Sequence, residues 1–314
     1  MSNWPPLPLA AWRDTCETLH RCTQIAGKIR LALTPLTNHF WNVALHLTAR
    51  GLTTRPMPFG DRTFELDFDF VDHQIVARAS DGAVRRLALA PRPVEEYYRE
   101  LMALVGSLGV RVAIDDRPVE IPGDRLPFHR DRVHDAYDAE AAARWFAIVR
   151  RVAVVLEEFR ARFVGKASPV HFFWGSFDLS ASRYSGRRAP ERPGADPITR
   201  EAYSHETSSV GFWPGDDRFP EPAFFAYHAP APDGFADARV RPPGAFWHAA
   251  LGEFLLPYEA VRLAGDPRAA LLDFCQSTYE AGATLAGWPR AELERATEPA
   301  RPAPAELHDD GPRP

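Results

Sequence analysis

The chain has 314 residues, 45% of them hydrophobic and 25% charged, with a formal net charge of -5 and a mean hydropathy of -0.30. That length buries a sizeable core in one large domain or two ordinary ones, and the acidic balance gives no broad positive field to hold nucleic acid. No apolar run approaches the ~18 residues of a membrane-spanning helix. The opening MSNWPPLPLAAWRD has no secretory pattern, and Cys16, Cys22 and Cys275 form no C-x-x-C pair, so a reducing cytoplasm is expected.

In chain order, Trp12, Cys16, Leu19 and Ile25 fall on one stripe and predict a helix from Ala11 to about Lys28. Alternation predicts strands over Trp41–Thr48 and Phe64–Phe70. A hairpin follows, Ile75–Ala79 and Val84–Leu89 turning at Asp81-Gly82. Pro93 opens a helix over Val94–Val105, a strand is expected within Val110–Pro122, and Asp138 caps a long helix through Phe163 that Gly165 ends. Beyond it stand a strand-like run at Val170–Ser182, a loop at Arg183–Tyr203, strands around His205–Trp213 and Ala223–Ala229, an apolar run at Glu253–Tyr258 and a helix over Pro267–Leu285.

Short, hairpin-like connections without regular βαβ alternation predict an α+β fold, mostly antiparallel sheet with flanking helices. Two halves are expected, 9–122 and 138–295, the second bearing the site, with an apolar-poor, disordered tail over 298–314. His39-Phe40-Trp41 with Arg50 echoes His171-Phe172-Phe173-Trp174 with Arg183, a hint of duplication.

Several familiar chemistries are not written here. No G-x-G-x-x-G opens a helix, Gly165-Lys166-Ala167-Ser168 lacks the spacing of a phosphate loop, and Ser204-His205-Glu206-Thr207 has Ser209 where a second zinc-binding histidine belongs. Neither Trp174-Gly175-Ser176-Phe177-Asp178 nor Tyr184-Ser185-Gly186 has both glycines of a nucleophile elbow.

Polar residues concentrate in three segments. In Val170–Ser182, strand alternation puts His171 and Asp178 on opposite faces unless Gly175 marks a bulge. In Tyr203–Gly215 it puts Tyr203, His205 and Trp213 on one side and Glu206, Val210 and Phe212 on the other. Glu206 among apolar neighbours calls for a cation, which Arg183 or Arg187 can supply. The third segment, Gly252–Glu259, holds Glu253 and Tyr258.

These runs, His171–Asp178, Arg183–Pro190, Ser204–Gly215, Glu253–Glu259 and Gln276–Glu280, together with Arg50–Thr54 and Asp67–His73, resemble those of a bacterial family catalogued as a domain of unknown function. The resemblance runs from about Trp12 to Leu293. It implies membership and no particular reaction, cofactor or catalytic residue.

The residues themselves point to an enzyme acting on a small molecule, its pocket walled by Trp174, Phe212, Trp213 and Tyr258. His171, His205, Glu206 and Asp178 are the candidate catalytic groups, Arg183 and Arg187 are expected to grip an anionic ligand group, and Glu253 joins them as a ligand-binding candidate. A metal variant draws Fe(II), Mn(II) or Zn(II) to His171, His205 and one of Asp178, Glu206 or Glu253. The competing reading is a non-catalytic metabolite- or partner-binding protein. Two geometric expectations accompany these: Arg183 lies within about 4–5 Å of a carboxylate or bound anion, and the Gly186–Tyr203 loop is a flap held mainly at its ends.

Overall fold

The computed structural model describes residues 4–124 and 126–295. The tail expected over 298–314 lies outside them. The first sheet comprises β1 (His46–Leu47), β2 (Gly51–Thr53), β3 (Met57–Phe59), β4 (Arg62–Asp69), β5 (Gln74–Ala79) and β6 (Val84–Ala88), ordered β1-β2-β4-β5-β6 with β3 also on β4. The second comprises β7 (His171–Phe173), β8 (Asp178–Arg188), β9 (His205–Trp213), β10 (Ala223–Ala229), β11 (Phe246–His248) and β12 (Glu253–Pro257), ordered β11-β12-β10-β9-β8-β7. Every pairing in both is antiparallel, and the fold is α+β.

The helices are α1 (Arg13–Leu33), α2 (Val94–Ser107), α3 (Ala139–Ala161), α4 (Pro197–Ala202), α5 (Tyr258–Arg262), α6 (Pro267–Leu285) and α7 (Arg290–Leu293). Local chemistry sets their ends. Asp138 accepts the Ala141 amide at 3.0 Å to start α3, and Asp266 accepts that of Ala269 to start α6. At the β5–β6 turn Gly82 takes φ 90, and Asp81 accepts the Ala83 amide at 3.0 Å.

The core is continuous from Trp4 to Trp288. α1 runs through it, buried along most of its length, and Gly27 lets the Trp174 indole lie on the helix, since a Cβ there would come within 2.2 Å of Trp174 Nε1. The two sheets meet where Leu45 and Phe172 exchange backbone hydrogen bonds of 2.9 Å.

Four local expectations are corrected. Val170–Ser182 is a hairpin rather than one strand: residues 174–177 turn, Phe177 sits at φ 60, and Phe173 pairs with Asp178 and His171 with Ser180. His171 and Asp178 therefore share a face, because four turn residues reverse the alternation that a single strand would keep. Trp41–Thr48 holds one turn of 3-10 helix, with His39 and Phe40 at φ 58 and 56, and only the two-residue β1, so the echo between the halves does not extend to it. The Val110–Pro122 segment carries no strand. The 186–203 loop is shorter than expected, since β8 runs to Arg188, and it contains α4.

Candidate functional site

Antiparallel register assigns the faces of the second sheet. One face carries Leu179, Ala181 and Arg183 of β8, Phe212 of β9 and Phe224 of β10, and packs on α3 and α6. The other carries His171 and Phe173, then Asp178, Ser180, Ser182 and Tyr184, then Thr207, Ser209, Gly211 and Trp213, then Phe225 and Tyr227, with Glu253 and Leu255 of β12 beyond. The chemistry is on this second face.

Three carboxyls and a group of hydroxyls converge there. Asp178 is buried, accepts from Ser176 Oγ, and burial pushes its pKa up to about 7, with the nearby Glu120 charge adding to the rise. Glu253 is also pushed up to about 7, first by burial and then by Asp178, while Arg218 opposes the shift. Burial raises Glu120 as well. None of the three has a cation within 4.0 Å among the described residues. Tyr203 Oη donates to Tyr227 Oη at 3.2 Å, and Ser182 and Ser209 share a hydrogen bond of 2.9 Å.

These groups line a recess. Glu120 is exposed and Tyr203, Tyr227 and Glu253 are half-buried, yet burial is the first cause that raises each of them. Its rim is strained: Glu120 and Phe177 hold φ 59 and 60, conformations that cost non-glycine residues about 1–2 kcal/mol each. Gly175 makes room for Glu120, because a Cβ would come within 2.5 Å of Glu120 Oε1.

The loop before β9 reaches the same region. Asp196 caps α4, its charge bears on Glu120, and Arg192 lies 4.2 Å over the Tyr203 ring. Beyond the two ends named from the sequence, Glu201 accepts the His39 amide at 3.2 Å and the His39 ring meets the Ala202 carbonyl at 3.0 Å.

The other sequence candidates are dispersed. Glu206 points to the opposite side of β9 and pairs with Arg187 at 2.7 Å, while Arg187 also donates to the Ala286 carbonyl at the end of α6. Arg183 is wholly buried, 3.5 Å over the Phe159 ring and 4.3 Å over that of Tyr279, and donates to the Phe159 carbonyl. No carboxylate lies within 4.0 Å of it among the described residues; aromatic faces surround its guanidinium, and the Glu294 charge bears on it. Arg183 and Arg187 thus form no common fork.

His171 touches the His46 and Trp41 rings, and His205 touches that of His39. With Glu206 on the other side, the His171, His205 and Glu206 metal set is not assembled, and no group of three or more His, Cys, Asp or Glu among the described residues is placed to hold a metal ion. Of the expected walls, Trp174 donates to the Val43 carbonyl, and Phe212 and Tyr258 pack together at 5.8 Å in the core. Trp213 alone belongs to the recess face.

The family model of DUF5996, described as a family of unknown function, matches residues 4–295. The chain belongs to this family. No curated protein and no solved structure matches it. For this DUF5996 chain, membership bears out the expectation of a family of unknown function and assigns no reaction. No helix among the described residues is long and apolar enough to cross a membrane.

Glu120, Tyr203 and Tyr227 escaped sequence reasoning as site residues. Small polar residues at every second position of Ser180-Ala181-Ser182-Arg183-Tyr184 and of Thr207-Ser208-Ser209-Val210-Gly211 were the available signal for a polar sheet face. Glu120, in an irregular segment, had none. Two open clefts elsewhere, of about 450 and about 380 Å³, offer less chemistry. Asp138 in the first caps α3, and Ser277 in the second donates to the Arg241 carbonyl.

Proposed function

We propose that the protein is an enzyme acting on a small hydrogen-bonding molecule by general acid–base chemistry in this recess. Asp178 and Glu253 exchange the proton, and Tyr203, Tyr227 and the serines orient the substrate. One observation carries the reading: Asp178 and Glu253 are carboxyls drawn into one recess without a cation within 4.0 Å among the described residues, whereas Glu206 and Glu259 are held by Arg187 and Arg262. Unpaired acids favour a neutral or cationic ligand group. Three buried, unbridged cysteines suit a cytoplasmic setting.

The non-catalytic reading draws its support from the committed Glu206, Arg183 and Arg187. A thermal-shift screen of the full chain against amino-, hydroxy- and amide-bearing metabolites, followed by mass spectrometry, separates the two. An enzyme converts the stabilising metabolite, and D178N slows conversion by about 100-fold or more. Stabilisation without conversion assigns the binding role, and conversion unchanged in D178N and E253Q rejects both carboxyls as the proton carriers.

A further inference from the structure

Helix α1 carries three cations into the interior, and one differs from the others. Arg21 pairs with Asp124 and, at 3.3 Å, with Asp131, and Lys28 reaches Asp115 at 3.6 Å. Arg30, only 8% exposed, has no carboxylate within 4.0 Å among the described residues. It donates to the Thr54 carbonyl, and its buried Nε has no hydrogen-bond partner.

Leaving a buried charge without its partner is costly, and the neighbours of Arg30 add to the imbalance. Arg55, directly after β2 and exposed, makes no ion pair among the described residues. Its charge bears on Arg30, His46 and His171 alike. The His46 and His171 rings lie edge to face at 5.0 Å, both buried. His171 is 1% exposed, and its Nδ1 is a second buried nitrogen without a hydrogen-bond partner. Burial lowers both rings, to about 4 for His46, where the Arg55 and Arg30 charges add to it, and to about 3 for His171, where His46 and then Arg55, Arg160 and Arg30 add to it. The nearby Arg160 is already paired with Glu157.

Helix α1, strand β1, the segment after β2 and the distant strand β7 therefore bring two guanidinium groups and two imidazoles to the place where the sheets join at Leu45 and Phe172. Among the described residues no carboxylate lies within 4.0 Å of any of them. We propose that Arg30, Arg55, His46 and His171 form a binding site for an oxyanion, the phosphate or carboxylate group of a small molecule. The anion enters beside exposed Arg55, gains the charge-assisted bonds that an arginine pair gives best, and offers an acceptor to the free nitrogens of Arg30 and His171. The site uses none of the acids of the recess, so it stands or falls separately from the reading above. It also places the anion-binding role expected of Arg183 and Arg187 on a different pair of arginines.

The test is nitrogen-15 NMR of the histidine side chains in the full chain, titrated with inorganic phosphate and, separately, with acetate in a low-chloride buffer. Saturable shifts of the His46 and His171 resonances are expected, at millimolar concentration or below, with binding weakened by tenfold or more in R55Q. Arg55 is exposed, so R55Q keeps the fold where R30M can fail to, and an unchanged melting temperature verifies this. Response to phosphate alone assigns a phosphate group, and response to acetate alone assigns a carboxylate. Absence of a saturable shift with either, or equal shifts in R55Q and wild type, overturns the site.

Discussion

Among the described residues, Asp178, Glu253 and Glu120 crowd one recess across β8, β9, β10 and β12 without a cation within 4.0 Å, while at the β1–β7 junction Arg30, Arg55, His46 and His171 gather without a carboxylate within 4.0 Å. Other buried or half-buried charges are paired, as Arg21 with Asp124 and Arg187 with Glu206, or, like Arg183, lie against aromatic faces. The acid region relieves its imbalance by binding protons, because a carboxyl pushed up to about 7 is largely neutral below that pH. The basic region cannot do this with its arginines, which stay charged even where burial brings Arg30 down to about 10. It keeps its histidines neutral and leaves the guanidinium groups for an anion. In the readings proposed above, uncompensated charge marks proton chemistry at one place and ligand recognition at the other.

The sharpest way to break this comparison is D178N. The Asp178 carboxyl titrates near 7 in the folded state and near about 3.9 unfolded. The folded state therefore holds more protons between those values, and stability falls as pH rises through that window. Removing the charge should stabilise the chain by about 2–4 kcal/mol at pH 8 and by almost nothing at pH 4, read from urea unfolding at both pH values. Destabilisation at pH 8 would mean that Asp178 is compensated after all. E253Q should act in the same direction and by less, about 1–2 kcal/mol at pH 8, because Glu253 is only half-buried and Arg218 offsets part of the rise.

Glu206 supplies the opposite sign. Its pair with Arg187 is satisfied and partly solvated, so E206Q should cost about 0.5–1 kcal/mol in the same unfolding measurement. A stabilising E206Q would erase the distinction between paired and unpaired acids. The smallest effect is expected from deleting Glu191–Ala195, which are largely exposed: the melting temperature should move by about 2 °C or less, while binding in the recess weakens through loss of the Arg192 stack on Tyr203. A fall of ten degrees or more would show that the segment is packed structure.

Much of the fold was legible because it rests on local signals. The Asp81-Gly82 turn, the Asp138 cap and the apolar periodicity of α3 and α6 each act within a few residues. The misread segments lacked such signals. Trp174-Gly175-Ser176-Phe177 turns without a glycine at its positive-φ position, and the alternation from Trp41 is one of residue type only, since residues 42–46 are all buried whatever their polarity.

The site was half legible for the same reason. Asp178, Glu253 and Trp213 could be found as polar or aromatic residues in strands, but their grouping depends on register across four strands. Glu206 looked unusual because its partner, Arg187, lies 19 residues away and across the β8–β9 pairing. Arg30 and Arg55 drew no attention, since an arginine without an acid is recognised only once its surroundings are known.

The central claim, that unpaired carboxyls in the recess are poised near neutrality, is tested most directly by carbon-13 NMR of the aspartate carboxyls through a pH titration, with D178N assigning the resonance. The account predicts an Asp178 midpoint near 7, broadened by coupling to Glu253 and shifted down in E253Q. A midpoint at the ordinary carboxylate value of about 4, unmoved by E253Q, would contradict it.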